Sequence, residues 1–226
     1  MSVNVGVLVF DLDGTLSDPA VGIGRCMNHA LRHHGHAAIA EADVPRYIGP
    51  PLEESFAAVV RDASAQHVAA LVERYRERYG EIGYAENTIY AGIPEALAAL
   101  RGAGATLGVC TAKRVDFAER ILDHFGIRRH FAFVSGGDIG IPKAGQLAAL
   151  LLNGVINREA TMIGDRAVDI RAAKANGLRS VGVLWGHGGL AELRATDPDV
   201  LLESPAELPT LAATHAPAGE RRADIH

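Results

Sequence analysis

Four aspartates in two short groups mark where this chain can do chemistry. Asp11 and Asp13 stand in Phe-Asp-Leu-Asp-Gly-Thr-Leu, directly after the apolar run Val5 to Phe10. Asp165 and Asp169 follow a second apolar run, Thr161 to Ile163, through Gly164. Buried carboxylates are costly unless a cation or a reaction uses them. Hard oxygen ligands at such spacing suit Mg²⁺, which keeps several waters and takes few protein carboxylates. One carboxylate of a pair can also act as nucleophile while its neighbour donates a proton.

Two other groups could complete such a site. Thr111 ends the apolar run Leu107 to Cys110 and is followed by Ala112 and Lys113. A hydroxyl there can donate to a phosphate oxygen, or it can simply cap the next helix. Lys143 follows Gly-Ile-Pro at the start of a helical pattern. A lysine there opposes the helix dipole, so it reads either as charge stabilisation for a phosphoryl group or as an ordinary surface lysine.

The elements that must position these groups alternate. Val5 to Phe10 is apolar on both faces, as a strand inside a parallel sheet is. Strands are expected at 105–111, 131–135, 160–163 and 180–184, with an edge strand at 199–202. Helices are expected at 95–101, 115–125, 144–152 and 168–176, two of them closed by Gly126 and Gly177. Alternation with short loops predicts a doubly wound, Rossmann-like α/β parallel sheet, whose ligands bind at the C-terminal strand ends. Between about 18 and 86 helices are expected at 20–34, 52–61 and 65–79, with no convincing strand. The expected organisation is a catalytic core at 1–17 and 87–213, an all-helical cap at 18–86 inserted after the first strand, and a flexible tail at 214–226.

Composition narrows the options. The chain has 226 residues, 48% of them hydrophobic, enough for one sizeable core and a smaller accessory unit. The net charge of −5 gives no support for a nucleic-acid surface. No apolar run approaches a membrane span, and no signal peptide is expected at the N-terminus. With only two cysteines, Cys26 and Cys110, a disulfide framework is not expected, and a cytoplasmic location fits. A monomer or homodimer is expected. His29, His33, His34 and His36 mix helix faces and read as a solvated helix end rather than a metal site.

Together these segments resemble the haloacid dehalogenase-type phosphohydrolase superfamily, in its motif order: Asp11-Leu-Asp13-Gly-Thr, Thr111, Lys143, and Gly164-Asp165 with Asp169. Tyr-Ile-Gly-Pro-Pro-Leu at 47–52, Thr-Ala-Lys at 111–113 and Val-Leu-Trp-Gly-His-Gly at 183–188 are similar to phosphoglycolate phosphatase-like members, which carry a helical cap. The chain departs from them in having Pro142-Lys143-Ala144 where Lys-Pro is common, and His187 where Tyr is common.

The resemblance implies a Mg²⁺-dependent phosphatase acting on a small phosphate monoester through an aspartyl-phosphate. Asp11 would be the nucleophile and Asp13 the acid–base. Asp11, the Asp13 carbonyl and Asp165 would hold the metal, with Asp169 supporting them. Thr111, Ala112, Lys113 and Lys143 would meet the phosphoryl group or substrate, and Arg46 would reach in from the cap. A 5'-nucleotidase or pyrophosphatase of the same superfamily, a sugar phosphomutase, and a phosphorylatable receiver-like module are the alternatives. Asp13 argues against the receiver, because it would hydrolyse the phospho-aspartate.

Overall fold

The computed structural model describes residues 6–137 and 141–213, so the tail expected at 214–226 lies outside the described residues. Six parallel strands form one sheet: β1 (Val7–Phe10), β4 (Thr106–Cys110), β5 (Phe131–Ser135), β6 (Thr161–Gly164), β7 (Arg179–Val183) and β8 (Val200–Leu202). Their spatial order is β5-β4-β1-β6-β7-β8, so β1 sits in the middle, between the strands that end at Thr111 and Asp165. In register, Phe10 lies beside Val109 and Ile163, and the three strand ends converge.

Both faces of β1 are buried, as its unbroken apolar run requires. Leu8 and Phe10 join one cluster with Ile93, Leu97 and Leu100 of α4 (Ile93–Gly102) and Ile121 and Leu122 of α5 (Val115–His124). Val9 points the other way, to Leu147 of α6 (Lys143–Leu152) and Ala172 and Ala173 of α7 (Ala167–Ala175). This two-residue alternation puts a helical layer on each face of the sheet.

The segment expected as a cap builds its own hydrophobic cluster. It comprises α1 (Ala20–His33), a 3₁₀ segment Glu41–Tyr47, α2 (Leu52–Val59), α3 (Ala65–Glu81) and a 3₁₀ turn Gly83–Glu86. Ser64 caps α3 by accepting the His67 amide at 3.2 Å. Leu71, Tyr75 and Tyr79, four residues apart, form the buried stripe of α3 and pack on Cys26, Met27 and Ala30 of α1. Phe117 of α5 belongs to this cap cluster although it lies on the core, with its ring edge-on to Tyr79 at 5.1 Å.

Two features were not legible as elements. Chain entry into the cap, β2 (Ser17–Asp18), pairs antiparallel with chain exit, β3 (Thr88–Ile89). Two-residue strands carry no periodicity to read. Beside them Glu86 receives hydrogen bonds from Arg78 and Arg25, tying α3 and α1 to the exit turn. Both cysteines are buried and free. Among the described residues, no helix is long and apolar enough to cross a membrane.

Candidate active site

At the C-terminal end of β1 the chain turns sharply. The Asp11 amide donates to Ile163 of β6, fixing where the carboxylate emerges. Its Oδ1 accepts the Leu12 amide at 2.8 Å, and its Oδ2 lies 2.9 Å from Lys143 Nζ. Gly14 then adopts φ +82°, a conformation that L side chains rarely take, and a Cβ there would lie 2.2 Å from Asp165 Oδ2. The turn thus needs glycine both for its backbone and for the room that Asp165 occupies.

Asp165 is held by hydrogen-bond donors with no full charge. Thr15 Oγ1 donates to its Oδ1 at 3.3 Å, and the His187 amide to its Oδ2 at 2.8 Å. The segment that supplies that amide passes so close that a Cβ on Gly188 would strike the Asp165 carbonyl at 1.7 Å. Trp185 anchors the segment by donating from Nε1 to the Thr15 carbonyl at 2.9 Å.

Asp169 serves twice. Its Oδ2 accepts the Arg166 amide at 3.0 Å, capping α7, while its Oδ1 accepts from Lys143 Nζ. Lys143 is no surface lysine: its side chain is 4% exposed, between Asp11 and Asp169. Burial pulls its ammonium pKa down, but the two carboxylates outweigh that and hold it above the ordinary lysine value.

Asp11, Asp165 and Asp169, all buried, offer oxygens within 4.8 Å of one another. Three carboxylates share one ammonium, so the cluster is short of positive charge. The strain is visible in the carboxyls: burial, aided by Asp11, pushes Asp165 up to about 6, and burial pushes Asp169 up to about 7. A hard divalent cation fits this all-oxygen set and relieves the deficit.

Asp13 lies apart from that cluster. Its Oδ2 is 2.8 Å from Lys113 Nζ, its Oδ1 is buried without a partner among the described residues, and burial raises its pKa. Lys113 also donates to the hydroxyl of Tyr79 on cap helix α3, at 2.7 Å. Thr111 is 2% exposed, and its Oγ1 accepts the Lys113 amide at 3.2 Å. Ala112, between them, is exposed. The structure therefore brings Asp11, Asp13, Lys113, Lys143, Asp165 and Asp169 to the β1, β4 and β6 strand ends.

It does not bring Arg46 there. That side chain is 77% exposed and pairs with Asp43 at 3.0 Å on the cap surface. Guanidinium groups that do link core and cap are those of Arg166, whose Nη1 donates to the Ile48 carbonyl at 3.0 Å, and Arg120, which lies over the Tyr84 ring at 3.8 Å. Tyr79, Thr15 and the His187 amide are site residues that sequence reasoning missed. Tyr79 reads as one more apolar position of an amphipathic helix, and the other two contacts span 150 and 22 residues.

Comparison with known proteins agrees with this geometry. The haloacid dehalogenase-like hydrolase family model matches residues 8–183. A 5'-nucleotidase of Pseudomonas aeruginosa is 40% identical over 198 residues, 84% of this chain and 88% of that protein. A phosphoglycolate phosphatase of Pectobacterium atrosepticum is 33% identical over 210 residues, 89% of each. Tyrosine-protein kinase PtkA of Mycobacterium tuberculosis is 38% identical over 80% of this chain, which spans 63% of that protein. A solved PtkA structure superposes with a TM-score of 0.77 at 34% identity, covering 92% of this chain and 97% of that one. A match over most of the chain, joined to this arrangement of strand-end carboxylates, places the protein in the haloacid dehalogenase-like hydrolase family.

Proposed function

We propose that this protein is a Mg²⁺-dependent phosphatase that hydrolyses a small phosphate monoester through an aspartyl-phosphate. One observation carries the reading. Asp11 and Asp13 leave the same strand end with different partners, Lys143 for one and Lys113 for the other. Two carboxylates in different surroundings can take different roles.

An Asp11 oxygen attacks phosphorus, and a new P–O bond forms as the bond to the leaving oxygen breaks. That oxygen takes a proton from Asp13. The Asp13 carboxylate then removes a proton from water, whose oxygen attacks the phosphorus and expels Asp11. Inorganic phosphate leaves, and both aspartates return to their starting states. Lys143 offsets negative charge as it builds on the phosphoryl oxygens, and the Thr111 hydroxyl and the segment through Ala112 border the same space. Mg²⁺, held by Asp11, Asp165 and the Asp13 carbonyl with Asp169 in support, would supply the remaining charge compensation. Residues 18–86, as the cap, would exclude water from the reacting groups.

Phosphoglycolate is the first substrate to try. A nucleoside monophosphate is the second, favoured by the 40% identity to a protein named 5'-nucleotidase. The free, buried cysteines accord with work in a reducing cytoplasm. The test is phosphate release from phosphoglycolate, nucleoside monophosphates, sugar phosphates, phosphotyrosine and pyrophosphate, with Mg²⁺ and with EDTA, beside Asp11→Asn. Mg²⁺-dependent release that Asp11→Asn loses while keeping the native circular dichroism supports the reading. Retained turnover in that variant removes Asp11 as the nucleophile.

A further inference from the structure

Lys113 makes one of the polar contacts that join the core to the helical insert. Its ammonium, on a side chain 9% exposed, sits between Asp13 Oδ2 of the core at 2.8 Å and the Tyr79 hydroxyl of the cap at 2.7 Å. The Tyr79 ring is itself fixed. It stacks on Tyr75 at 5.4 Å with an interplanar angle of 12°, and meets Phe117 edge-on. The other Asp13 oxygen, Oδ1, is buried and has no partner among the described residues.

We propose that Tyr79 and Lys113 are positioning residues that hold the Asp13 carboxyl group in one orientation, and do so only while the cap is seated. The inference rests on the phosphatase reading and assigns Lys113 a role other than binding substrate. The ammonium anchors Oδ2 and so fixes the plane of the carboxyl group. As the P–O bond breaks, the carboxyl O–H bond of Asp13 breaks and the proton goes to the departing alkoxide, leaving Asp13 as a carboxylate paired with Lys113. Tyr79 reaches Lys113 only from α3, so lifting the cap frees the lysine and lets the Asp13 carboxylate rotate. Proton donation is thereby reserved for the closed state, in which water is excluded.

The experiment compares two esters by kcat/KM, which reports events up to release of the leaving group. One is the best alkyl phosphate of the panel, whose alkoxide needs a proton. The other is p-nitrophenyl phosphate, whose phenolate leaves without one. Asp13→Asn sets the benchmark, with a large loss on the alkyl ester and a small one on the aryl ester. Tyr79→Phe keeps both ring contacts and removes only the hydroxyl. The expected loss is about tenfold on the alkyl ester, a fraction of the roughly 10²–10⁴ that a positioned proton donor supplies. On p-nitrophenyl phosphate the loss should stay below about twofold. Added to Asp13→Asn, Tyr79→Phe should cost nothing more, because residues that act through one group are not additive.

Equal losses on both esters, or full additivity with Asp13→Asn, would show a merely structural seam and overturn the proposal. So would no loss on either ester, or a rise confined to KM in Lys113→Met. If the unsubstituted protein releases phosphate from neither ester, the phosphatase reading itself fails. That outcome is distinct from one in which Asp11→Asn abolishes a measured activity and Tyr79→Phe does not touch it.

Discussion

Replacing Lys143 with Met removes the only ammonium among three buried carboxylates. Lys143 Nζ lies 2.9 Å from Asp11 and also contacts Asp169, with 4% of its side chain exposed. At that separation and an effective dielectric constant of ~20, each pair attracts by about 6 kcal/mol before desolvation is counted. The net cost of deleting one partner of a buried pair is smaller, about 3–5 kcal/mol. For a chain of this size that corresponds to a fall in Tm on the order of 10 °C. Protonation limits the damage, because Asp165 and Asp169 already stand at about 6 and about 7 with the lysine present.

The sign of the pH dependence follows. A carboxyl whose folded pKa lies above its unfolded value of 3.8 binds a proton in the folded state where the unfolded chain has lost it. Its favourable contribution is complete below about 3.8 and disappears as pH rises through the folded pKa. Metal-free protein should therefore lose stability from this cluster between about pH 4 and 7, and Lys143→Met should extend that loss to higher pH. Denaturant unfolding in EDTA at pH 6 and pH 8, followed by titration with Mg²⁺, measures all three effects. Mg²⁺ should stabilise the variant, and more strongly at pH 8. A stability loss under about 1 kcal/mol, or one independent of both pH and Mg²⁺, would refute the charge-deficit reasoning.

Two further outcomes are expected. Gly14→Ala should destabilise the protein and weaken Mg²⁺ binding together, since its methyl must displace the Asp165 carboxylate and strain a left-handed backbone; isothermal titration with Mg²⁺ and a thermal melt check both. Glu86→Gln should loosen the cap by about 1–2 kcal/mol, seen as faster amide exchange in α1 and α3. Hydrogen bonds from Arg78 hold the Glu86 pKa below its ordinary 4.5, so this clasp is intact above pH 4.5 and is lost as pH falls through the folded value.

Local pattern carried the core and the surroundings of Asp11. Leu8, Val9 and Phe10 are apolar on both faces because both faces carry helices, and so the strand and its terminal Asp11 could be read from consecutive residues. Gly126 and Gly177 closed their helices at φ +66° and +63°, where the sequence places them. Lys143 was ambiguous on its own stretch. Only Asp11, 132 residues earlier, and Asp169, 26 residues later, explain its burial. Tyr79 was hidden for a different reason: its ring obeys the apolar period of α3, and nothing in that period reveals that its hydroxyl meets Lys113. Arg46 stands beside a Gly-Pro-Pro turn, which suggests a binding loop; its side chain is 77% exposed and paired with Asp43, a contact that local spacing alone does not single out. The paired strands at the cap's base are too short to show any alternation.

That base has a consequence for how the molecule can be altered. Asp18 and Thr88 are paired neighbours, so the chain enters the helical insert and leaves it at almost one point. The polypeptide between them could be exchanged for a longer, shorter or unrelated segment without rethreading a strand. In this chain that freedom is limited where Phe117 and Lys113 of the core reach the insert. A transplanted insert would have to supply its own counterpart of Tyr79.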